Sequence, residues 1–414
     1  MSVTANTADV SGTRSVRIAT VWLAGTLAAA VYAIWRLIDA YLGSSGYTTR
    51  PHHPFGADFV NVWTTGRLVV SNAVDAIYRH QDFMAYQQTF INEDIGLRMW
   101  ANPPHSLLFV WPFGLTGYYA AFVLWSVLGL TLLAFGARKF GFTWTETAIL
   151  TFSPAAMRCI AGGQMGNLAC GLLLAALAGA SLRSRSSIAA AAILTIKPQI
   201  GFLLPLFWIV RGRWTLIVAT GLLTVCLVLL SVWVFGVQSW RDYLGDTLPE
   251  LAVLEREGRG PFLLMIPSTF ISMRLSGLNA DAASAVHFAF AGAVMVFLIW
   301  RLSRETNTTR QVALLLIGTC LVTPYLHIYD LSILLAGALL VLRGVDALQG
   351  WVRAAILLAV GMAWALPALV PQLGKYDLPV SPLIILAILL VACLPQACRE
   401  NTAAGDGLKA RQDG

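Results

Sequence analysis

Long uninterrupted apolar runs constrain this chain more than any motif does. Residues 18–34, 120–137, 168–181, 215–234, 283–300, 354–370 and 383–394 approach the roughly 20 apolar residues that a bilayer-spanning helix needs. Composition agrees: 57% of residues are hydrophobic, only 12% are charged, and mean hydropathy is +0.70, whereas soluble domains carry about 25% charged residues. Lipid offers no partner to a free backbone N–H or C=O, so each run must be helical. The expected fold class is all-α, a polytopic membrane protein.

Orientation follows from the basic residues, because Lys and Arg are retained in cytoplasmic loops near the span ends. Arg14/Arg17, Arg138/Lys139, Arg183/Arg185, Arg211/Arg213, Arg301/Arg304, Arg343/Arg353 and the tail residues Arg399, Lys409 and Arg411 are therefore placed inside. The loops between them are external and hold most of the acid. Asp58, Asp75, Asp82, Glu93 and Asp94 fall in the first, and Asp242, Asp246, Glu250, Glu255 and Glu257 in the second. Alternation then predicts about twelve spans with both termini cytoplasmic. This count requires 188–210 to be two short helices around Thr195-Ile196-Lys197-Pro198-Gln199. As one span it would flip the parity and put the second acidic loop inside. The split keeps every basic cluster on one side and removes Lys197-Pro198 from a helix interior, where proline is costly.

The expected organisation is a cytoplasmic tail over 1–17, a multi-span domain over 18–398 and a cytoplasmic tail over 399–414, in the cell's inner or plasma membrane. The external loops cover 43–105 and 236–282. No small-residue cleavage site follows the first apolar run, so that helix is expected to stay as an anchor. The net charge of +7 reflects cytoplasmic anchoring and not a nucleic-acid partner. All six cysteines, Cys159, Cys170, Cys226, Cys320, Cys393 and Cys398, lie in or beside apolar runs without metal-ligand spacing, and read as small packing residues.

Two external loops carry the polar chemistry. In the first, residues 58–70 place apolar side chains at helical spacing, which predicts an amphipathic helix lying along the membrane surface. A second amphipathic stretch follows over 81–90. Asn102-Pro103-Pro104-His105 then stops the loop before the next span. The second loop, with Trp240, Tyr243 and an acidic face, is expected to act as a lid. Further polar groups converge at external span ends: Arg158, Gln164 and Asn167, then Lys197, then Tyr325, His327 and Asp330. Ionisable groups at membrane depth are costly, which makes each a functional candidate.

Each candidate has a plainer reading. Asp58 is either the base of a one-sided membrane enzyme or the N-cap of the helix after it. His327 is a catalytic group or a hydrogen-bonded interfacial histidine. Lys197, Arg158 and His327 are cations for a phosphate, although Lys197 could equally snorkel to lipid headgroups. Gln164 and Asn167 contact substrate or pair between helices. Asp330 pairs with a cation or binds substrate, and Asn102 and His105 bind substrate or shape the loop exit. Trp63 and Trp240 are platforms for a sugar ring, with Arg67 and Tyr325 as further substrate contacts. No group of ligands suggests a metal.

Gly56-Ala57-Asp58-Phe59 with Trp63 and Gly66-Arg67, then Asn102-Pro103-Pro104, Gly163-Gln164-Met165-Gly166-Asn167, Ile196-Lys197-Pro198 and Pro324-Tyr325-Leu326-His327, form an ordered set that resembles glycosyltransferase family 87. The resemblance covers roughly residues 55–335. It departs from the family pattern at Asn102, where an aromatic residue often precedes the paired prolines. It implies a GT-C-type bundle with amphipathic helices in the first external loop and an external active site. It also implies a polyprenyl-phosphate sugar as donor, mannose in actinobacterial members that elongate phosphatidylinositol mannosides, and roles for Asp58 as catalytic carboxylate and His327 as a further functional residue.

The chemistry fits those residues. Displacement at the anomeric carbon by a hydroxyl needs a base for the acceptor proton, and the departing phosphate needs positive charge. One carboxylate without a nucleophilic partner favours inversion. The expected protein is thus an inverting hexosyltransferase acting as a monomer, with membrane lipids, the lipid-linked donor and a lipid or glycan acceptor as partners and no cofactor. A transporter or flippase of lipid-linked sugars would want charges along a path through the bilayer, yet the span centres here are apolar. A lipid-linked glycan ligase would share the external site but move a larger donor. A cysteine placed at position 92 is expected to react with a membrane-impermeant thiol reagent added outside the cell, and one at position 184 is not. The reverse labelling pattern would overturn the orientation.

Overall fold

The computed structural model describes residues 7–49, 53–91, 96, 98–178 and 185–394, with the backbone alone over 7–19. Glu93, Asp94, Arg183, Cys398, Arg399, Lys409, Arg411, the side chains of Arg14 and Arg17, and positions 92 and 184 lie outside the described residues.

Helix α1 (Thr7–Leu42) leads into the first long loop, which opens with a short antiparallel hairpin, β1 (Thr48–Thr49) against β2 (His53–Pro54), and continues through α2 (Phe59–Val70), α3 (His80–Gln88) and α4 (Leu107–Val110). The chain then crosses back and forth through α5 (Tyr118–Phe140), α6 (Trp144–Thr151), α7 (Pro154–Ala161), α8 (Gly166–Leu177), α9 (Arg185–Leu194), α10 (Pro198–Gly201), α11 (Leu204–Val210) and α12 (Trp214–Phe235). The second loop carries α13 (Val237–Asp242), α14 (Leu248–Glu257) and α15 (Thr269–Leu275). Then α16 (Ala280–Arg304), α17 (Thr308–Val322), α18 (Ser332–Leu342), α19 (Gly350–Lys375) and α20 (Ser381–Ala392) complete an all-α polytopic membrane bundle.

Among the described residues α1, α5, α12, α16 and α19 are long and apolar enough to cross a bilayer alone. The others are shorter and several adjoin across a break. Helix α6 starts on a capping box, Thr143 with Glu146. It ends just before Ser153-Pro154, where the serine hydroxyl accepts from Ala156 N–H and proline occupies the first turn of α7, a position in which its missing N–H costs nothing.

Polar contacts sort the helix ends onto two faces. On one face Arg343 binds Glu146 at 3.0 Å, Lys139 donates to Ser186 and Ser187, Arg211 donates to Thr308 and Gln311, and Arg310 donates to the carbonyl of Leu394. On the other, Thr195 meets His105, Lys197 meets Asp330 and Gln164 meets Asp58. Helix α9 therefore ends on the second face and α11 ends on the first. Residues 185–210 form short helices on either side of a break at 195–197. The described basic clusters share the first face, and both long loops lie on the second.

One expectation is corrected. Helix α2 does not lie along a surface: Phe59, Val60, Val62, Trp63, Thr64, Thr65, Gly66 and Leu68 are all buried. The cause is a glycine-on-glycine contact. A Cβ on Gly66 would stand 2.6 Å from the Gly114 nitrogen, so the α2 backbone rests directly on the 111–115 turn. Trp63 Nε1–H locks the pair by donating to Thr116 O at 3.0 Å.

Inside the bundle α5 and α8 pack by the same device, since small residues let apolar helices approach without help from the hydrophobic effect. A Cβ on Gly136 would stand 2.0 Å from Gly171 O, and one on Gly171 would stand 2.2 Å from Leu132 O. Gly171→Val is expected to force these helices apart and cost about 3 kcal/mol or more, read as a fall in the thermal midpoint of the detergent-purified protein. An unchanged midpoint would refute the close packing.

Candidate active site

Asp58 owes its position to two turns that fit together. Gly56 and Ala57 both take positive φ, +70° and +47°, and the chain swings so that Asp58 N–H donates to Gly162 O at 3.1 Å. Gly163, at φ +60°, closes the contact. A Cβ there would stand 2.3 Å from Phe59 Cβ and 2.6 Å from Gly56 O. Its carbonyl is fixed in turn by Trp125 Nε1–H at 3.1 Å. The next residue, Gln164, is thereby aimed at the carboxylate, and its Nε2 donates to Asp58 Oδ2 at 2.5 Å.

The other carboxylate oxygen is ion-paired with Arg98. Asp58 makes no side-chain cap to α2, so the capping reading does not describe it. Its side chain keeps 40% of its surface open. Burial of the rest raises its carboxyl above the ordinary range, and Arg98 and Gln164 pull it back. Solvent access on the open side limits how far burial can win. The carboxylate is held, oriented and still approachable.

The 323–330 segment forms a second wall. Lys197 is buried and its Nζ lies 2.5 Å from Asp330 Oδ1, itself 1% exposed. The same ammonium sits 5.3 Å from the centre of the Tyr329 ring. Gly166, at the start of α8, allows this approach, since a Cβ there would stand 2.4 Å from Tyr329 O. Lys197 is thus not a snorkelling lysine: its charge is compensated inside the protein, and removing either partner would strand a buried ion at a cost of about 3–5 kcal/mol.

His327 stacks on Tyr329 with ring centres 4.8 Å apart and lies against Phe262 of the second loop. Burial pushes its imidazole down to about 4, so the ring is neutral. Its Nδ1 lies 3.1 Å from Tyr325 O. A carbonyl can only accept, so Nδ1 carries the proton and Nε2 is an acceptor. His327 therefore meets the site as a neutral hydrogen-bonding group and not as the cation expected for a phosphate.

The remaining candidates divide. Arg158, on α7 one turn before Gly162, is exposed, and among the described residues its guanidinium makes no hydrogen bond or ion pair with protein. Tyr325 is half-buried and packs on Phe270. Trp63 is buried among Tyr47, Phe90 and Tyr118, and Arg67 lies over its ring while donating to Gly114 O at 3.3 Å. These two hold the first loop together, away from any open sugar platform. Asn167 is buried and donates to Ala156 O, joining α8 to α7. Asn102 accepts from Tyr78 through its carbonyl at 3.0 Å. His105 is buried, bonded to Thr195 at 3.1 Å and stacked on Trp240, and burial lowers it to about 4. Trp240 also donates to Ser231, so that contact ties the exit of the first loop to the start of the second. Among the described residues no cluster of ligands could hold a metal ion.

Comparison with known protein families matches residues 100–324, more than half of the chain, to glycosyltransferase family 87. The chain belongs to glycosyltransferase family 87. Neither the curated proteins nor the solved structures yield a match. The family 87 match contains Gln164, Arg158 and Lys197 but starts after Asp58 and ends before His327.

Two groups escaped the sequence reading of this family 87 glycosyltransferase. Arg98 was passed over, although an arginine on the face that the basic-residue rule leaves acidic is itself a signal. Tyr329, between His327 and Asp330, was not singled out as a candidate. Arg98→Gln removes the charge that lowers the Asp58 carboxyl, so that carboxyl rises and its ionised form is lost at a higher pH. The acid limb of the activity profile is expected to move to higher pH, and Arg98→Lys to restore much of its position. A limb that stays in place would show that Arg98 does not control Asp58.

Proposed function

We propose that this membrane glycosyltransferase moves a hexose, mannose in the first instance, from a polyprenyl-phosphate donor to a hydroxyl of a lipid or glycan acceptor. The site then lies on the external, periplasmic side of the inner or plasma membrane, with both termini cytoplasmic. This orientation is supported by the segregation of the described basic clusters to the face opposite Asp58.

The observation that carries the reading is the Asp58 carboxylate, half-open and held by Arg98 and Gln164. An acceptor hydroxyl that enters beside it forms a bond to the anomeric carbon as the bond from that carbon to the phosphate oxygen breaks. The electron pair leaves with the lipid phosphate, and the hydroxyl proton passes to Asp58. A phosphate monoester anion is a stable leaving group that asks for positive charge more than for a proton. Arg158 supplies it in this proposal, because Lys197 is already engaged by Asp330. His327 Nε2 is suited to accept a hydrogen bond from a substrate hydroxyl. Base, cation and leaving group complete the step without a metal or cofactor, and the sugar carbon inverts.

Asp58→Asn keeps the shape of the side chain and its bond to Gln164 but cannot take a proton. In membranes supplied with polyprenyl-phosphate mannose it is expected to lower transfer by about 10²–10⁴-fold while the thermal midpoint stays within a few degrees. Retained turnover would remove Asp58 from its role.

A further inference from the structure

Helix α14 presents an inward stripe made of Leu251, Leu254 and Glu255, continued by Gly258 just past its end, all half-buried, while Ala252, Val253, Arg256 and Glu257 are exposed. Positions three and four apart share one helix face, so Glu255 stands where an apolar residue would suffice. Among the described residues its carboxylate has no hydrogen bond or ion pair with protein. Its neighbours point to the site. Burial raises the Tyr325 and Tyr329 phenols and the Glu255 carboxylate raises both further, as Asp58 does for Tyr329.

The helix is not adrift. Thr247 Oγ1–H donates to Tyr78 O at 3.0 Å, Glu250 meets His80 at 2.6 Å, and Arg79 reaches Asp242, so the first loop clamps the start of α14. Farther along the second loop Phe262 lies against His327. These contacts hold the second loop, α14 included, beside the wall formed by residues 325–329.

We propose that Glu255 is a substrate-binding carboxylate that accepts hydrogen bonds from hydroxyls of a sugar held against Tyr329. A phosphate would be repelled by it, whereas a neutral polyol offers the donors it lacks. Burial without such partners pushes its carboxyl up to about 7, and hydroxyl donors would favour its ionised form. The sugar belongs either to the donor or to the acceptor. The inference rests on the glycosyl-transfer reading above.

The test is steady-state transfer with purified Glu255→Leu and Glu255→Asp, varying donor and acceptor in turn. The leucine suits the apolar stripe, so the fold should hold. Loss of a charged hydrogen-bond acceptor is expected to raise one KM about tenfold or more with a smaller change in kcat, and the shortened aspartate to raise the same KM less. A raised donor KM assigns the hydroxyls to the transferred sugar, and a raised acceptor KM assigns them to the acceptor. Unchanged KM values for both substrates in the leucine variant, or in the aspartate variant if the leucine variant does not fold, overturn the proposal. A wild-type enzyme that ignores the polyprenyl-phosphate donor would instead count against the donor reading, and the Glu255 variants are then measured with the donor it accepts.

Discussion

The site depends on one contact, the seating of Gly163 against Phe59 and Gly56. Two turns, one from the first loop and one between α7 and α8, meet there with no room for a side chain. Because they meet, Asp58 N–H is taken by Gly162 and its carboxylate faces Gln164 instead of the N-terminus of α2. A carboxylate that capped its own helix would be satisfied locally. Here it is held by groups distant in sequence, and one side remains open for a ligand.

Charge is distributed by the same logic. The most deeply buried ions at the site, Lys197 and Asp330, pair with each other, which stabilises the break between α9 and α10 and the 323–330 segment as a unit. The pair is a brace that sets Tyr329 and His327, and it leaves little net charge for a substrate. In the proposed reaction, charge comes from less buried groups. Asp58 is half-open and Arg158 is exposed, and both lie where the chain turns at one face of the bundle. Apolar helices below and a polar rim above suit a reaction between a lipid-borne donor and a polar acceptor.

Much of this was legible in the sequence. Apolar runs and basic clusters gave the helical membrane bundle and the paired short passes about Lys197-Pro198, because lipid leaves few alternatives. The Asp58 and Gln164 motifs stood out as polar islands next to apolar spans. What could not be read was the pairing of distant elements. Arg98 reaches Asp58 across 40 positions, and Trp63 looked like a sugar platform because nothing in the sequence pairs Gly66 with Gly114, the contact that buries α2. Phe59, Val60, Val62, Trp63 and Leu68 do spread beyond a single helix face, which is the mark of a helix buried on several sides. His327 kept its place near the site but not its charge, since burial decides protonation and burial is a property of the packing.

Adjacent glycines offer the most direct measurement of the central claim. Gly162 is in the ordinary helical region, and a Cβ there would come no closer than 3.3 Å to Arg158 O and Gln164 Cγ, whereas at Gly163 it would meet Phe59 and Gly56 head-on. The turnover of folded Gly162→Ala and Gly163→Ala enzymes should therefore diverge, with the first close to wild type and the second reduced about tenfold or more, as a displaced catalytic group would be. Equal turnover in the two variants would contradict the account.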